Sequence, residues 1–157
     1  MRDAESEFES RYDVLLGLGY RAAYRLLGER AAAEDAASEA LARAFSRWRS
    51  VRGHAEPWVV TVATNLALDV GRARRRAMAS RWELVEDVAP DPQVELRLDL
   101  QRALGSLPRR QREVITLRYL GDFTEQATAE ALGLDIGTVK THASRGLAKL
   151  RMQMERV

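Results

Sequence analysis

Apolar residues recur at spacings of three and four along most of the chain, the period of a helix buried on one face. The first such stretch runs from about Glu5 to Gly28, with Phe8, Tyr12, Leu15, Leu16, Tyr20, Ala23, Tyr24 and Leu27 at its apolar positions. Gly17 and Gly19 weaken its middle and leave open a division into two helices. The second runs from about Ala31 to Trp48, with Ala36, Ala40, Leu41, Ala44 and Phe45 on one face. Residues 49–56, RSVRGHAE, contain Gly53 and read as a loop. A third helix starts at Pro57, a favourable first-turn residue, and continues through Trp58, Val62, Leu66 and Val70 into an arginine cluster. Four more are expected near 94–105, 108–120, 124–132 and 138–154, with Leu107-Pro108 and Gly121 in the first two gaps. Strand patterns are scarce, and there is no internal repeat.

Between these groups the character changes. The stretch 82–96, WELVEDVAPDPQVEL, holds five acidic residues and no basic one, and Pro90 and Pro92 resist regular structure. The expected fold class is therefore all-α. Two small helical domains, 1–79 and 94–157, are joined by a flexible acidic linker over 80–93.

Composition narrows the function more than it names it. The chain has 157 residues, 46% of them hydrophobic and 31% charged, as in a folded soluble protein. It has no Cys, which excludes disulfides and cysteine-based zinc sites and fits a reducing cytoplasm. His54 and His142 are too few and too far apart to suggest a metal. The opening MRDAESEFES is acidic without an apolar core, so no signal peptide is expected, and no run is long enough for a membrane span. The net charge of +2 says little. Its distribution says more: Lys140 and Lys149 are the only lysines, and the other basic residues are arginines, whose planar fork suits phosphate oxygens. No phosphate-cradling glycine loop, cysteine nucleophile or His-carboxylate set is present, so neither an enzyme nor a cofactor is expected.

The segment FTEQATAEALGLDIGTVKTHASRGLAKL, residues 123–150, has the anatomy of a helix-turn-helix of the winged-helix-like kind. A short helix points Thr128, Ala131 and Leu132 at a core. Gly133 permits a tight turn because it takes positive φ at little cost. Asp135 is placed to cap the next helix. Val139, Ala143, Leu147 and Leu150 repeat as an inner face, which leaves Thr138, Lys140, Thr141, His142, Ser144 and Arg145 outward. Short donors and cations at a helix start suit entry into a major groove. A two-helix hairpin with a solvated polar face would share the pattern, but not the combined glycine turn, acidic cap and GTVKTH run. Arg109, Arg110 and Arg112 could add backbone contacts or form a solvated helix end.

LPRRQREVITLRYLGDFT followed by ALGLDIGTVKTHASRGLAKLR resembles region 4 of bacterial sigma factors. The GTVKTH run is also similar to LuxR-type regulators, which act without polymerase. The N-terminal half separates the two. AEDAASEALARAFSRW, residues 33–48, resembles the part of sigma region 2 that docks on RNA polymerase, which assigns polymerase binding to Glu34, Asp35, Glu39, Leu41 and Phe45. Ser38 departs from the family's usual Gln. PWVVTVATNLALDVGRARRR, residues 57–76, resembles the helix that spans sigma regions 2.3 and 2.4, through Trp58, Ala63, Asn65, Leu66, Asp69 and the closing arginines.

This resemblance covers about residues 8–152, and its two-domain brevity matches the extracytoplasmic-function group. It implies that Asn65, Asp69, Arg72, Arg75 and Arg76 meet the minus-ten element, although Asp69 could equally pair with Arg72 or Arg76. The residues at 49–56 fall where related factors trap a flipped base, so Trp48, Arg52 and His54 are candidates to line that pocket. The acidic linker is implied to thread a basic polymerase channel, a solvated connector being the plainer alternative. The implied partners are core RNA polymerase, promoter DNA and, as is common in the family, an anti-sigma factor; no metal or cofactor is implied. Ala127-Thr128-Ala129 departs from the usual Glu-Ile-Ala, and a polar Thr there would weaken packing.

Overall fold

A computed structural model of the chain describes residues 1–82 and 91–155. All regular structure among these residues is helical. Helix α1 spans Arg2–Leu27, α2 Arg30–Ser46, α3 Trp48–Val51 and α4 Ala55–Trp82. The C-terminal half contributes α5 (Pro92–Ser106), α6 (Arg109–Ile115), α7 (Glu125–Leu132) and α8 (Ile136–Glu155).

Helix α1 is unbroken through both glycines. Gly19 is buried where α1 crosses α4, and a Cβ there would lie 3.2 Å from Val59 and 3.5 Å from both Ala37 and Ala63. The glycine that weakens the helix locally is thus what lets three helices approach closely. Alanines do the same across the α1/α2/α4 interface, where Ala22, Ala37, Ala40, Ala44 and Ala63 are all buried. The helix ends at Gly28, which adopts φ 67° and donates its N–H to the Tyr24 carbonyl at 2.8 Å.

The expected loop at 49–56 is a correction. Its residues form the turn of α3, a 3-10 turn over Arg52–His54, and the start of α4, so the segment is continuously helical. Val51 and Ala55 are buried and pull the turn onto α1 and α2. Arg11, unremarkable in sequence, organises it: its guanidinium lies 5.2 Å from the Trp48 ring, donates to the Arg52 carbonyl at 2.8 Å and bonds Glu56 at 2.6 Å.

Of the expected linker, residues 83–90 lie outside the described residues, and with them Glu83, Glu86 and Asp87. The remainder is helical: α4 runs through Trp82, and Asp91 caps α5 by accepting the Gln93 N–H at 2.9 Å, with Pro92 in the first turn.

The two halves pack against each other. One buried cluster unites Leu26 of α1, Ala36 of α2, Leu68 of α4, Leu104 of α5, Ile115 of α6 and Leu150 of α8. A second joins Ala22 and Val60 to Leu117. Leu117 belongs to a wide turn after α6, Thr116–Leu120, closed by the Gly121 N–H to the Thr116 carbonyl at 2.9 Å.

Candidate nucleic-acid interface

The helix-turn-helix forms from α7, a turn at Gly133 and α8. Thr124 caps α7 by accepting the Ala127 N–H at 3.0 Å. Gly133 sits at φ 65° and ψ 34°, and the Leu134 N–H closes the turn onto the Ala129 carbonyl at 2.9 Å. Asp135 opens α8: one carboxylate oxygen accepts the Thr138 N–H at 2.8 Å and the other the Thr138 hydroxyl at 3.0 Å. The Thr138 backbone bond, then its hydroxyl, holds the Asp135 carboxyl below the ordinary carboxylate range.

Val139 of α8 packs on Val114 and Ala129, which fixes the rotation of the helix. The opposite face carries Lys140, Thr141, Ser144 and Arg145 exposed to solvent, with Thr138 and His142 half-buried at its edges. Lys140 reaches Glu125 of α7 at 3.7 Å. The Thr141 hydroxyl bonds back to the Gly137 carbonyl at 3.0 Å. Gly146 lets α8 press on α6, since a Cβ there would come 2.9 Å from Ile115. Thr128 is 0% exposed, and its hydroxyl has no hydrogen-bond partner among the described residues.

Arg109 and Arg110 both pair with Glu113, at 2.9 and 3.0 Å, and remain exposed beside α8. Arg112 differs from the expectation of a free cation. It is half-buried and donates to the Gly105 carbonyl at 3.2 Å, bracing the α5–α6 corner.

Helix α4 presents a second polar face. Asn65 and Asp69 are exposed one turn apart, and Asp69 pairs with Arg72 at 2.6 Å. Arg76 is exposed; Arg74 pairs with Glu29 at 2.7 Å. Arg75 turns away from this face and donates to the Leu98 carbonyl of α5 at 3.4 Å. Burial, then the neighbouring Arg102 and Arg72, pulls its pKa below arginine's ordinary value.

Arg52 and His54 are exposed on the 3-10 turn, and Arg52 pairs with Glu7 at 3.3 Å. Trp48, expected beside them in a base pocket, is instead core: it is 4% exposed and meets Phe8 edge-on at 5.1 Å. Burial against α1 outweighs presentation of an indole to solvent.

On α2, Glu34, Asp35 and Glu39 form an exposed acidic edge, with Arg30–Glu34 at 2.9 Å and Arg43–Glu39 at 3.0 Å as the pairs along it. Phe45 is 49% exposed although its ring lies 5.0 Å from Phe8. Leu41 is a correction. At 2% exposure it faces the α1/α4 interface and offers nothing to a partner.

Comparison with known proteins fits both halves. Residues 12–77 match the model of sigma-70 region 2, and residues 97–150 that of sigma-70 region 4. The chain is 34% identical to the ECF RNA polymerase sigma factor SigE of Mycolicibacterium smegmatis over 84% of its length, and spans 55% of that protein. It is 30% identical to ECF RNA polymerase sigma factor SigW of Bacillus subtilis over 96% of its length and 90% of SigW. Among solved structures, the sigma factor RpoE of Bartonella quintana, in complex with the anti-sigma factor NepR, resembles it with a TM-score of 0.54 at 26% identity, covering 94% of this chain and 96% of that one.

Proposed function

The chain belongs to the extracytoplasmic-function group of sigma-70 factors, non-enzymatic proteins that direct transcription initiation, and on that premise we propose how its residues divide the task. Residues 94–157 read the minus-thirty-five element through α8, with Thr138, Lys140, Thr141, His142, Ser144 and Arg145 at the groove and Arg109 and Arg110 on phosphates. Residues 1–79 bind core RNA polymerase through the acidic edge of α2 and Phe45. The same half meets the minus-ten element through Asn65, Asp69, Arg72, Arg75 and Arg76, with Arg52 and His54 beside it.

The observation that carries this reading is the geometry of α8. A helix capped by Asp135 and rotated by Val139 exposes short donors and two cations over its first turns. Such a helix end suits a major groove, where donors meet base edges and cations meet phosphate. The LuxR-type alternative is not favoured, because residues 12–77 match sigma-70 region 2.

Among the described residues no helix is long and apolar enough to cross a membrane; binding core RNA polymerase would set its work in the cytoplasm. An anti-sigma factor is a further partner on the precedent of the Bartonella complex. Run-off transcription with core polymerase on genomic fragments, followed by footprinting, tests the division. Expected is a promoter-specific transcript with two protected patches, the upstream one lost in Arg145→Ala. No transcript from any fragment overturns it.

A further inference from the structure

Two glutamines are buried among the described residues, and they are held differently. Gln101 of α5 donates its amide N–H to the Leu26 carbonyl at 2.7 Å, and its amide lies where Gly71 of α4 leaves room for it. Gln111 of α6 is 8% exposed, yet its side-chain oxygen has no hydrogen-bond partner among the described residues. Its neighbours on the helix, Val114 and Ile115, are buried and apolar, so an apolar side chain would suit the position without leaving that orphan. A buried acceptor of this kind is costly and asks for a donor.

A group able to donate lies along the same seam. Helix α8 meets α6 at Val139, which packs with Val114, and at Gly146, where a Cβ would come 3.6 Å from the Gln111 Cβ. His142 stands three residues after the first and four before the second, on the same side of α8. Its ring is half-buried, and Nδ1 is buried without a hydrogen-bond partner among the described residues. In a neutral imidazole one nitrogen donates and the other accepts, and the partner of one decides the state of both. Gln111 turns an oxygen into the seam, which only a protonated Nδ1 satisfies. Closing the pair asks only for rotation about the terminal torsions of the two side chains, which are broad.

We propose that Gln111 is a positioning residue for His142: it accepts the Nδ1–H and so presents Nε2 as an acceptor on the outer face of α8. In a major groove an acceptor meets the exocyclic amine of cytosine or adenine, whereas a donor meets the oxygens of guanine or thymine. Gln111 thereby selects the class of base that His142 reads, without touching DNA itself. The assignment rests on the reading of α8 as the groove helix.

The first test needs no DNA. His54 and His142 are the only histidines, so long-range proton–nitrogen correlation of the imidazole rings in the full chain gives two signal sets, which His54→Gln assigns. A pH of about 8.5 compares the neutral tautomers. His142 is expected in the Nδ1–H form. Gln111→Leu, which keeps the bulk and removes the acceptor, is expected to move it to the Nε2–H form, and Gln111→Glu, which keeps an acceptor, to retain Nδ1–H. An Nε2–H ring in the unmodified chain, or a tautomer indifferent to Gln111→Leu, overturns the positioning. The second test uses holoenzyme on a promoter duplex defined by footprinting, with the exocyclic amine of each cytosine and adenine in the upstream patch removed in turn. At one position removal is expected to weaken binding about 5-fold, as for one lost hydrogen bond, and to make no further difference in His142→Ala or Gln111→Leu. The lack of any such position overturns the acceptor readout. A missing upstream footprint counts against the reading of α8 in itself, whereas the tautomer is judged on the free chain.

Discussion

Helix α8 carries its outward face on a platform made within its own half of the chain: Val114 and Ala129 receive Val139, and Asp135 fixes the first turn. Its cations point to solvent. Helix α4 carries more arginines, but several of them are engaged within the fold. Arg72 is paired with Asp69, Arg74 with Glu29, and Arg75 is turned onto α5. An arginine count thus measures capacity for phosphate, not availability, because each guanidinium takes the nearest acceptor the fold supplies. One polar face is finished by local contacts, whereas on the other Arg75 is engaged by a helix from the distant half of the chain.

The largest expected effect breaks the comparison at its shared support. Leu117 is 1% exposed and serves both halves, so Leu117→Ala should cost about 2–5 kcal/mol in urea denaturation. Probes placed in each half should report the loss together; a loss confined to the α6–α8 transition would mean that the halves are independent. Next, the two arginine sets are separated by substitution. Arg145→Ala should weaken duplex binding by the free chain and lower its salt slope by about 1, as for one lost phosphate contact. Arg75→Ala should leave that slope unchanged, because its guanidinium is engaged by the Leu98 carbonyl; an equal fall would show that Arg75 is already available.

Smaller effects sharpen the account of α8's platform. Thr128 buries a hydroxyl with no partner among the described residues, so Thr128→Val should raise stability by about 1 kcal/mol in thermal denaturation, and a loss would reveal a bond to that hydroxyl. Smallest is the acid dependence of the Asp135 cap. Its carboxyl lies below its ordinary value when folded, so its contribution is full above the unfolded pKa, near 3.9. It is lost as pH falls through the lower folded value. Asp135→Asn should flatten the acid limb of the helicity profile and leave the neutral limb little changed.

What the sequence disclosed follows the same division between near and far. Gly133, Asp135 and Val139 act on neighbours within a few residues, so their roles were legible as a turn, a cap and a core contact. The outward set of α8 followed from its 3.6-residue period. Periodicity also identified every long helix, but not which apolar residues serve the interior. Trp48 and Leu41 carried the chemistry expected at a surface site and lie in the core. Arg11, Arg25 and Gln101 left no local signal, because each finds a partner on a segment distant in sequence. Gly19 is legible only in part for a related reason. Helix propensity counts it as a weakness, while its value lies in the closeness of Val59 from α4.

Gly71 has a genetic consequence. Glycine and alanine codons differ only at the middle base, so a single nucleotide change suffices to place a methyl group against the Gln101 amide. That change improves α4 as an isolated helix and damages only its fit to α5. A library of random point mutants screened for lowered stability should therefore yield this codon early, as an allele whose lesion lies at the seam between α4 and α5.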